Sequence, residues 1–90
     1  MSFTRTNTTA DIAKNITIPN NYRGMIATID STTARCGMYF LYASSSGVVN
    51  TLPIKEASGL TFGTSTNTLS ITSPGATMIV LLNASGKATT

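Results

Sequence analysis

Histidine and tryptophan are absent from this chain of 90 residues, and cysteine occurs only once. Without histidine, and with a single cysteine, the chain lacks the set of ligands that a zinc site requires. Cys36 has no partner for an intramolecular disulfide, so we interpret it as a small buried apolar residue. The sequence therefore predicts no metal and no other cofactor.

Acidic residues are also scarce, because the chain contains only Asp11, Asp30 and Glu56. A general acid or base must lie beside the reacting group, and these three residues are interpreted as solvated residues of turns and of the polar N-terminal stretch. The serines lack an activating histidine, and no glycine begins a phosphate-binding loop between a strand and a helix. We therefore expect that the chain is not an enzyme.

The chain has no cluster of basic residues and no long apolar run, although its net charge is +3. Only Arg23 and Arg35, which could meet across neighbouring strands, hint at nucleic-acid binding, so we expect no nucleic-acid partner. Residues 1–24 contain no apolar run of the kind found in signal peptides, and no stretch approaches the ~20 apolar residues of a membrane span. We expect neither membrane insertion nor export through a signal peptide.

The residues that are present favour an all-β fold. Charged residues make up 10% of the chain, against about 25% in average domains, and threonine, which suits a pleated strand, is abundant. Turn signals separate apolar stretches of strand length, and no helical period occurs. The predicted strands are 15–19, 22–30, 35–43, 48–54, 60–63, 68–72 and 77–82.

Six or seven short strands at this spacing predict a small antiparallel β-sandwich, and a small closed barrel is the alternative. The predicted division of the chain has three parts. Residues 1–14 form an extended N-terminal arm, residues 15–84 form the sandwich, and residues 85–90 form a loose tail.

The stretch from Thr68 to Asn83 is the most informative part of the sequence. Proline at position 74 and glycine at position 75 predict a type II turn with positive φ at Gly75, so the stretch reads as a β-hairpin. Pro53, which lacks a backbone donor, predicts that its own strand lies at an edge of the sheet.

The second arm of this hairpin is apolar on both faces, and a chain of this size has little material with which to cover both. We therefore expect a homo-oligomer, with a trimer as the favoured state. Its contact is formed either by Met78, Val80 and Leu82 or by the opposite pair, Ile79 and Leu81.

The segment Leu60–Ala84, LTFGTSTNTLSITSPGATMIVLLNA, resembles the C-terminal β-sandwich domains of bacteriophage tail-fibre and tail-tip receptor-binding proteins. Two further segments that contribute to the resemblance are Arg23–Met25 and Tyr39–Ser45, so that it covers residues 22–84. The resemblance implies a homotrimeric virion module that touches the host surface, frequently by binding glycans. It transfers no binding residue.

Exposed aromatic rings and loop tips are the candidate ligand contacts, because such rings stack on sugars and rigid scaffolds present contacts on loops. Tyr22, beside the turn Asn20-Asn21, is expected to be the most exposed ring. For Tyr39 the sequence leaves open a ligand contact or a packing role, and for Tyr42 it favours packing in the core or in a subunit interface. The candidate ligand-binding residues are Tyr22, Arg23, Tyr39, Ser44, Ser45 and Ser46.

The expected function is that of a phage tail-fibre or tail-tip module, located in the virion, which recognises a glycan or protein on the host cell surface. Two alternatives stay open. One is a carbohydrate-binding or adhesin-type module outside any virus, and the other is an assembly domain that binds no ligand.

Overall fold

A computed structural model describes residues 3–90, which fold into six antiparallel strands and one 3-10 turn. The strands are β1 (Thr4–Thr17), β2 (Arg23–Ile29), β3 (Gly37–Ala43), β4 (Val49–Lys55), β5 (Thr61–Ser65) and β6 (Thr68–Ser85), and the turn is Thr33–Arg35. They form one sheet in the order β1-β6-β2-β3-β4, and β5 also pairs with β6. The predicted all-β, antiparallel class is confirmed.

β6 organises the sheet, because it pairs with three other strands. Along one edge it pairs with β1 over nearly its whole length. Along the other edge residues 68–72 pair with β5, and residues 78–85 pair with β2. Every odd-numbered residue from Leu69 to Asn83 is buried except Gly75, which is half-buried, so the two-residue period of one strand runs through the whole stretch.

The predicted hairpin within Thr68–Asn83 is therefore wrong. Pro74 and Gly75 lie where β6 changes partners from β5 to β2, and where the pairing with β1 jumps from Ser73↔Ile12 to Thr77↔Ala10. Proline is tolerated at such an irregularity because no ladder hydrogen bond is required from it. Gly75 does not have the positive φ that a type II turn requires. The turn-like composition thus marks an irregularity inside a strand and not a reversal of the chain.

The N-terminal stretch is a strand of the sheet, so the expected arm of residues 1–14 is not a separate part of the fold. β1 pairs with β6 from Thr4 to Thr17, with a bulge between Ala10 and Ile12, and Ile12 has a φ of 75°. Its polar composition reflects its position at an edge, where most side chains face solvent. Residues 1–2 of the expected arm lie outside the described residues.

The C-terminal tail is docked and not loose. Ala88 is fully buried, its backbone N–H donates to Asn83 Oδ1 at 3.2 Å, and its carbonyl accepts from Thr6 Oγ1 at 2.8 Å. Thr89 and Thr17 exchange two backbone hydrogen bonds of 2.7 and 3.0 Å.

These contacts also show that β1 is bent. Thr6 and Thr17 would lie about 36 Å apart in a straight strand, which exceeds the longest dimension of the molecule, 34 Å. Both nevertheless contact the consecutive residues Ala88 and Thr89. The strand therefore bends between Thr6 and Thr17, the stretch that also contains the register shift opposite Pro74 and Gly75.

The hairpin of β3 and β4 agrees with the sequence analysis. The two strands pair directly through the connection of residues 44–48, and β4 lies at an edge of the sheet, as Pro53 predicts. Leu60 and Phe62 pack against the core, as expected for the predicted strand 60–63, which corresponds to β5.

The core lies on one face of β2, β3 and β6, which we call the inner face. Its apolar side chains come from all parts of the chain: Ala10, Ile16, Ile18, Tyr22, Ile26, Tyr39, Leu41, Ala43, Val49, Ala57, Leu69, Ile71, Ile79, Leu81 and Ala88. Ile79 and Leu81 are thus enclosed within one chain, and only the other expected contact, Met78, Val80 and Leu82, is directed away from the core.

Candidate functional site

Three loops meet at one end of the sheet and form what we call the loop tip, residues 18–22, 44–48 and 65–68. The backbone N–H of Asn21 donates to the carbonyl of Ser44 at 3.0 Å, and that of Asn67 donates to the carbonyl of Gly47 at 2.9 Å. The side-chain amide of Asn67 also donates to the carbonyl of Ile18 at 2.8 Å. The loops are therefore held together by hydrogen bonds.

The middle loop of the tip is ordered by its own first residue. Ser44 Oγ accepts hydrogen bonds from the backbone N–H groups of Ser46 at 3.3 Å and Val48 at 3.1 Å. Gly47 has a φ of 84°, and a Cβ there would lie 2.5 Å from Asn67 Oδ1, so only glycine fits this close approach. The loop presents three exposed serines, Ser44, Ser45 and Ser46.

Tyr22 is not exposed, and the expectation that its ring is the most accessible one is wrong. The residue is fully buried, and its hydroxyl donates to Asn83 Oδ1 at 2.6 Å. Burial raises the pKa of Tyr22 to about 12, because the phenolate would lose its hydration. The ring fills the core below the loop tip and offers no surface to a ligand.

Tyr39 is also a core residue, which decides between the two roles that the sequence left open. It is 4% exposed, its hydroxyl accepts a hydrogen bond of 2.6 Å from the backbone N–H of Ala57, and its ring meets Phe62 edge-on at 4.7 Å. Tyr22 and Tyr39 therefore do not flank a shared groove on the surface.

Tyr42 is the tyrosine that reaches the surface. It is 44% exposed and lies directly across from Arg23 in the pairing of β2 with β3, next to the loop tip. Arg23 is exposed and donates through Nη1 to the carbonyl of Asn21 at 3.2 Å. Arg23 thus lies near the Ser44–Ser46 loop through Asn21, whose backbone N–H donates to the carbonyl of Ser44, and the accompanying ring is Tyr42 and not Tyr22 or Tyr39.

The sequence contained part of the signal for this arrangement. Tyr39 and Tyr42 fall on opposite faces of one strand, and the alternation of side chains shows this, but both faces are apolar and alternation does not show which one is buried. For two further residues of the tip, Asn20 and Asn21, the sequence indicates only a turn.

A second surface feature adjoins the tip on the face opposite the core, which we call the outer face. Its apolar residues are Met25, Ala27, Ile29, Met38, Phe40, Leu52, Ile54, Met78, Val80 and Leu82, and Arg23 and Tyr42 lie on the same face at its upper margin, next to the tip. An open groove of about 710 Å³ crosses its upper end, between Phe3 and Leu82 on one side and Tyr42 and Leu52 on the other.

The buried carboxylate of Asp30 is held by hydrogen bonds from two neighbouring side chains. Its Oδ2 accepts from Arg35 Nε at 2.7 Å and from Thr77 Oγ1 at 2.7 Å, and its side chain is 5% exposed. The guanidinium of Arg35 and then the hydroxyl of Thr77 hold the pKa of this carboxyl well below its usual range. This cluster fastens the 3-10 turn to β6 beside Gly75.

Arg35 thus forms an ion pair with Asp30. This pair lies at one end of β2 and β3, and Arg23 lies at the other end. Arg23 and Arg35, which could have met across neighbouring strands, therefore lie at opposite ends of this pair. Cys36 is half-buried, and its thiol contacts the carbonyl of Asp30 at 3.2 Å.

Residues 3–90 contain no group of three or more histidine, cysteine, aspartate or glutamate side chains that could hold a metal ion. Within the same residues, no helix has the length and apolar character needed to cross a membrane. Comparison of the chain with protein-family models, with curated proteins and with solved structures finds no match.

Proposed function

We propose that this chain is a structural and receptor-binding module of a phage virion, a tail-fibre or tail-tip domain that recognises a glycan on the host cell surface. The observation that carries the proposal is the loop tip. Three loops that are fixed to one another present hydroxyl and amide groups at one end of a rigid sheet, beside an exposed aromatic ring and an arginine.

The chemistry of the tip suits a sugar. The exposed ring of Tyr42 offers an apolar surface on which a sugar face can stack. Arg23, next to it, supplies several N–H donors. The serines Ser44–Ser46 add hydroxyl groups that both donate and accept.

The architecture fits the same class of module. We propose that β1 and β6 bend at the irregularity of their pairing, so that the two halves of the sheet enclose the core like the two layers of a small β-sandwich. Tyr39 of β3 packing on Phe62 of β5 is one contact between these halves. We further propose a homotrimer, as in the tail domains that the sequence resembles, so that three tips act together on a surface.

The proposal is tested with a glycan array probed by the wild-type chain, Tyr42→Ala and Arg23→Gln. We expect the wild-type chain to bind a defined group of glycans. Each variant should lose about tenfold or more in affinity, because aromatic and arginine anchors respond steeply to truncation. Thermal stability should stay unchanged, since both side chains are exposed.

Thr61→Ala is a suitable control, because Thr61 is exposed on β5 and lies outside the tip. Glycan binding that is equally weakened by Thr61→Ala, or unchanged in both tip variants, would contradict the proposed site. Absence of binding to glycans together with capture of one purified host surface protein would replace the glycan by a protein receptor.

A further inference from the structure

The outer face is the largest feature that the loop tip leaves unexplained. Its exposed apolar side chains are between 39% and 55% accessible: Ile29, Met38, Phe40, Leu52, Ile54, Met78 and Leu82. If each of these residues is assigned, when fully exposed, the roughly 150 to 250 Å² of an aromatic side chain, the seven expose on the order of 500 to 840 Å² together. The largest apolar patch of a typical monomer is about 300 to 600 Å².

These residues form one continuous surface across four neighbouring strands. Leu82 of β6 lies opposite Met25 of β2, which lies opposite Phe40 of β3, which lies opposite Leu52 of β4. A parallel row contains Val80, Ala27 and Met38. The apolar groups are therefore contiguous, which distinguishes them from the scattered exposed residues of ordinary surfaces.

A small ligand does not account for this surface. The groove of about 710 Å³ lies at its upper end, and a second, shallow depression of about 450 Å³ lies at its lower end beside Ile29 and Ile54. A molecule that fills one of the two leaves the other exposed, and Met78 borders neither. Only an extended partner surface covers the whole face.

We infer that the outer face packs against the outer faces of further copies of this chain. The apolar area, together with the half-buried Met25, Ala27 and Val80, approaches the ~800 Å² that each partner contributes to a standard interface. A sheet face accepts another sheet face about 10 Å away.

Charge agrees with contact between identical faces. The centre of the outer face carries no charged side chain. Arg5, Arg23 and Lys55 lie on the same face of the sheet but at its margins, directly opposite Leu82, Tyr42 and Met38. Such a distribution, an uncharged centre with a charged rim, is typical of protein interfaces. Like charges are therefore not brought into the centre when two copies meet.

This inference rests on the oligomeric part of the proposed function and names the surface that forms the oligomer. The experiment is sedimentation equilibrium of the wild-type chain, Phe40→Arg, Leu52→Arg and the control Ile12→Arg. Ile12 is an apolar residue that is 73% exposed on β1, outside the outer face, so the control makes the same chemical change elsewhere.

We expect the wild-type chain and Ile12→Arg to share the mass of an oligomer at micromolar concentration, whether it contains two or three chains. Phe40→Arg and Leu52→Arg should associate at least 100-fold more weakly. Their circular dichroism spectra should match that of the wild-type chain, because both side chains point away from the core. If Phe40→Arg does not fold, Leu52→Arg at the edge strand provides the same measurement.

A wild-type chain that is monomeric at tens of micromolar would overturn the inference. This holds also if the monomer sediments with vesicles of phosphatidylglycerol, a result that would assign the outer face to a lipid surface. An oligomer that both outer-face variants leave intact would also overturn the inference. The glycan array reports separately on the loop tip. A monomer that still binds glycans contradicts this inference and the proposed homotrimer but leaves the receptor-binding proposal intact, whereas an oligomer that binds no glycan contradicts only the receptor-binding proposal.

Discussion

The two faces of the same sheet differ in a way that apolar content alone does not explain. On β2 the outer residues Met25, Ala27 and Ile29 are all apolar, whereas the inner residues include Thr28, which is 1% exposed. By apolar content alone, the first set would be the side of the strand to bury. The fold nevertheless buries the other side.

The inner face is distinguished by complete hydrogen bonding of its polar groups. Thr28 Oγ1 donates to the carbonyl of Arg35 at 2.9 Å, and the side-chain oxygen of Asn83 accepts from Tyr22. Among residues 3–90, no buried side-chain nitrogen or oxygen lacks a hydrogen-bond partner. Buried polar groups that are satisfied specify one arrangement of the chain, so the inner face is fixed within one chain while the outer face remains available to others.

The largest expected effect separates the two faces at adjacent positions of β6. Leu81 is fully buried and Leu82 is 41% exposed. Leu81→Ala should lower the free energy of unfolding by about 2 to 5 kcal/mol, because it leaves a cavity in the core. Leu82→Ala should lower it by less than about 1 kcal/mol. Urea denaturation in the Phe40→Arg background, where we expect association to be at least 100-fold weaker, measures both.

Equal costs for these two substitutions would contradict the assignment of the faces. The comparison is well controlled, because the same side chain is truncated to the same residue at neighbouring positions of one strand.

The next effect concerns the hydroxyl groups of two tyrosines. Tyr22→Phe should lower the free energy of unfolding by about 1 to 3 kcal/mol, since the bond to Asn83 Oδ1 is buried and its loss leaves that oxygen with only the Ala88 N–H. Tyr42→Phe should cost almost nothing, because Tyr42 is exposed. Thermal denaturation of both variants at pH 7 provides the measurement, and a larger loss for Tyr42→Phe would be incompatible with the structure.

Stability at alkaline pH tests the burial of the Tyr22 hydroxyl in a second way. The folded-state pKa of Tyr22 is raised to about 12, above the value of about 10 for an unfolded chain. The stabilisation from the neutral phenol is therefore complete below pH 10 and is lost as the pH rises from 10 to 12. The difference in unfolding free energy between the wild-type chain and Tyr22→Phe should shrink over this range, and a constant difference would show that Tyr22 titrates normally.

The smallest effect compares two glycines. Gly47→Ala should cost about 1 to 2 kcal/mol, because the new methyl group would meet Asn67 and the φ of 84° disfavours alanine. Gly75→Ala should change stability by less than about 1 kcal/mol, since a Cβ there lies 3.6 Å from Arg35 Nη2, an ordinary contact. A greater loss of stability for Gly75→Ala than for Gly47→Ala in thermal denaturation would contradict this expectation. It would favour the type II turn that the sequence predicts.

Local patterns predicted the fold where the strands are short and their connections tight. The β3–β4 hairpin and the edge position of Pro53 follow from residues close together in the chain. The stretch around Pro74 and Gly75 could not be resolved in this way, because a turn and an irregular strand use the same residues. Pairing with β1, some 60 residues away, decides between them.

The candidate site was predictable in part for a related reason. The position of Ser44–Ser46 on a loop follows from composition, whereas the burial of Tyr22 depends on its partner Asn83, 61 residues away. Alternation places Tyr39 and Tyr42 on opposite faces, but which face is enclosed depends on packing with residues that are distant in the sequence, such as Phe62 against Tyr39.

The most direct test of the account measures which face of the sheet solvent reaches. Met78→Cys and Ala43→Cys, each in a Cys36→Ser background, place one thiol on the outer and one on the inner face; Met78 is 55% and Ala43 is 7% exposed. We predict that the thiol at position 78 reacts rapidly with a maleimide in dilute solution and becomes protected as the protein concentration rises. The thiol at position 43 should stay protected throughout. Rapid labelling at position 43, or protection at position 78 that does not depend on concentration, would contradict the account.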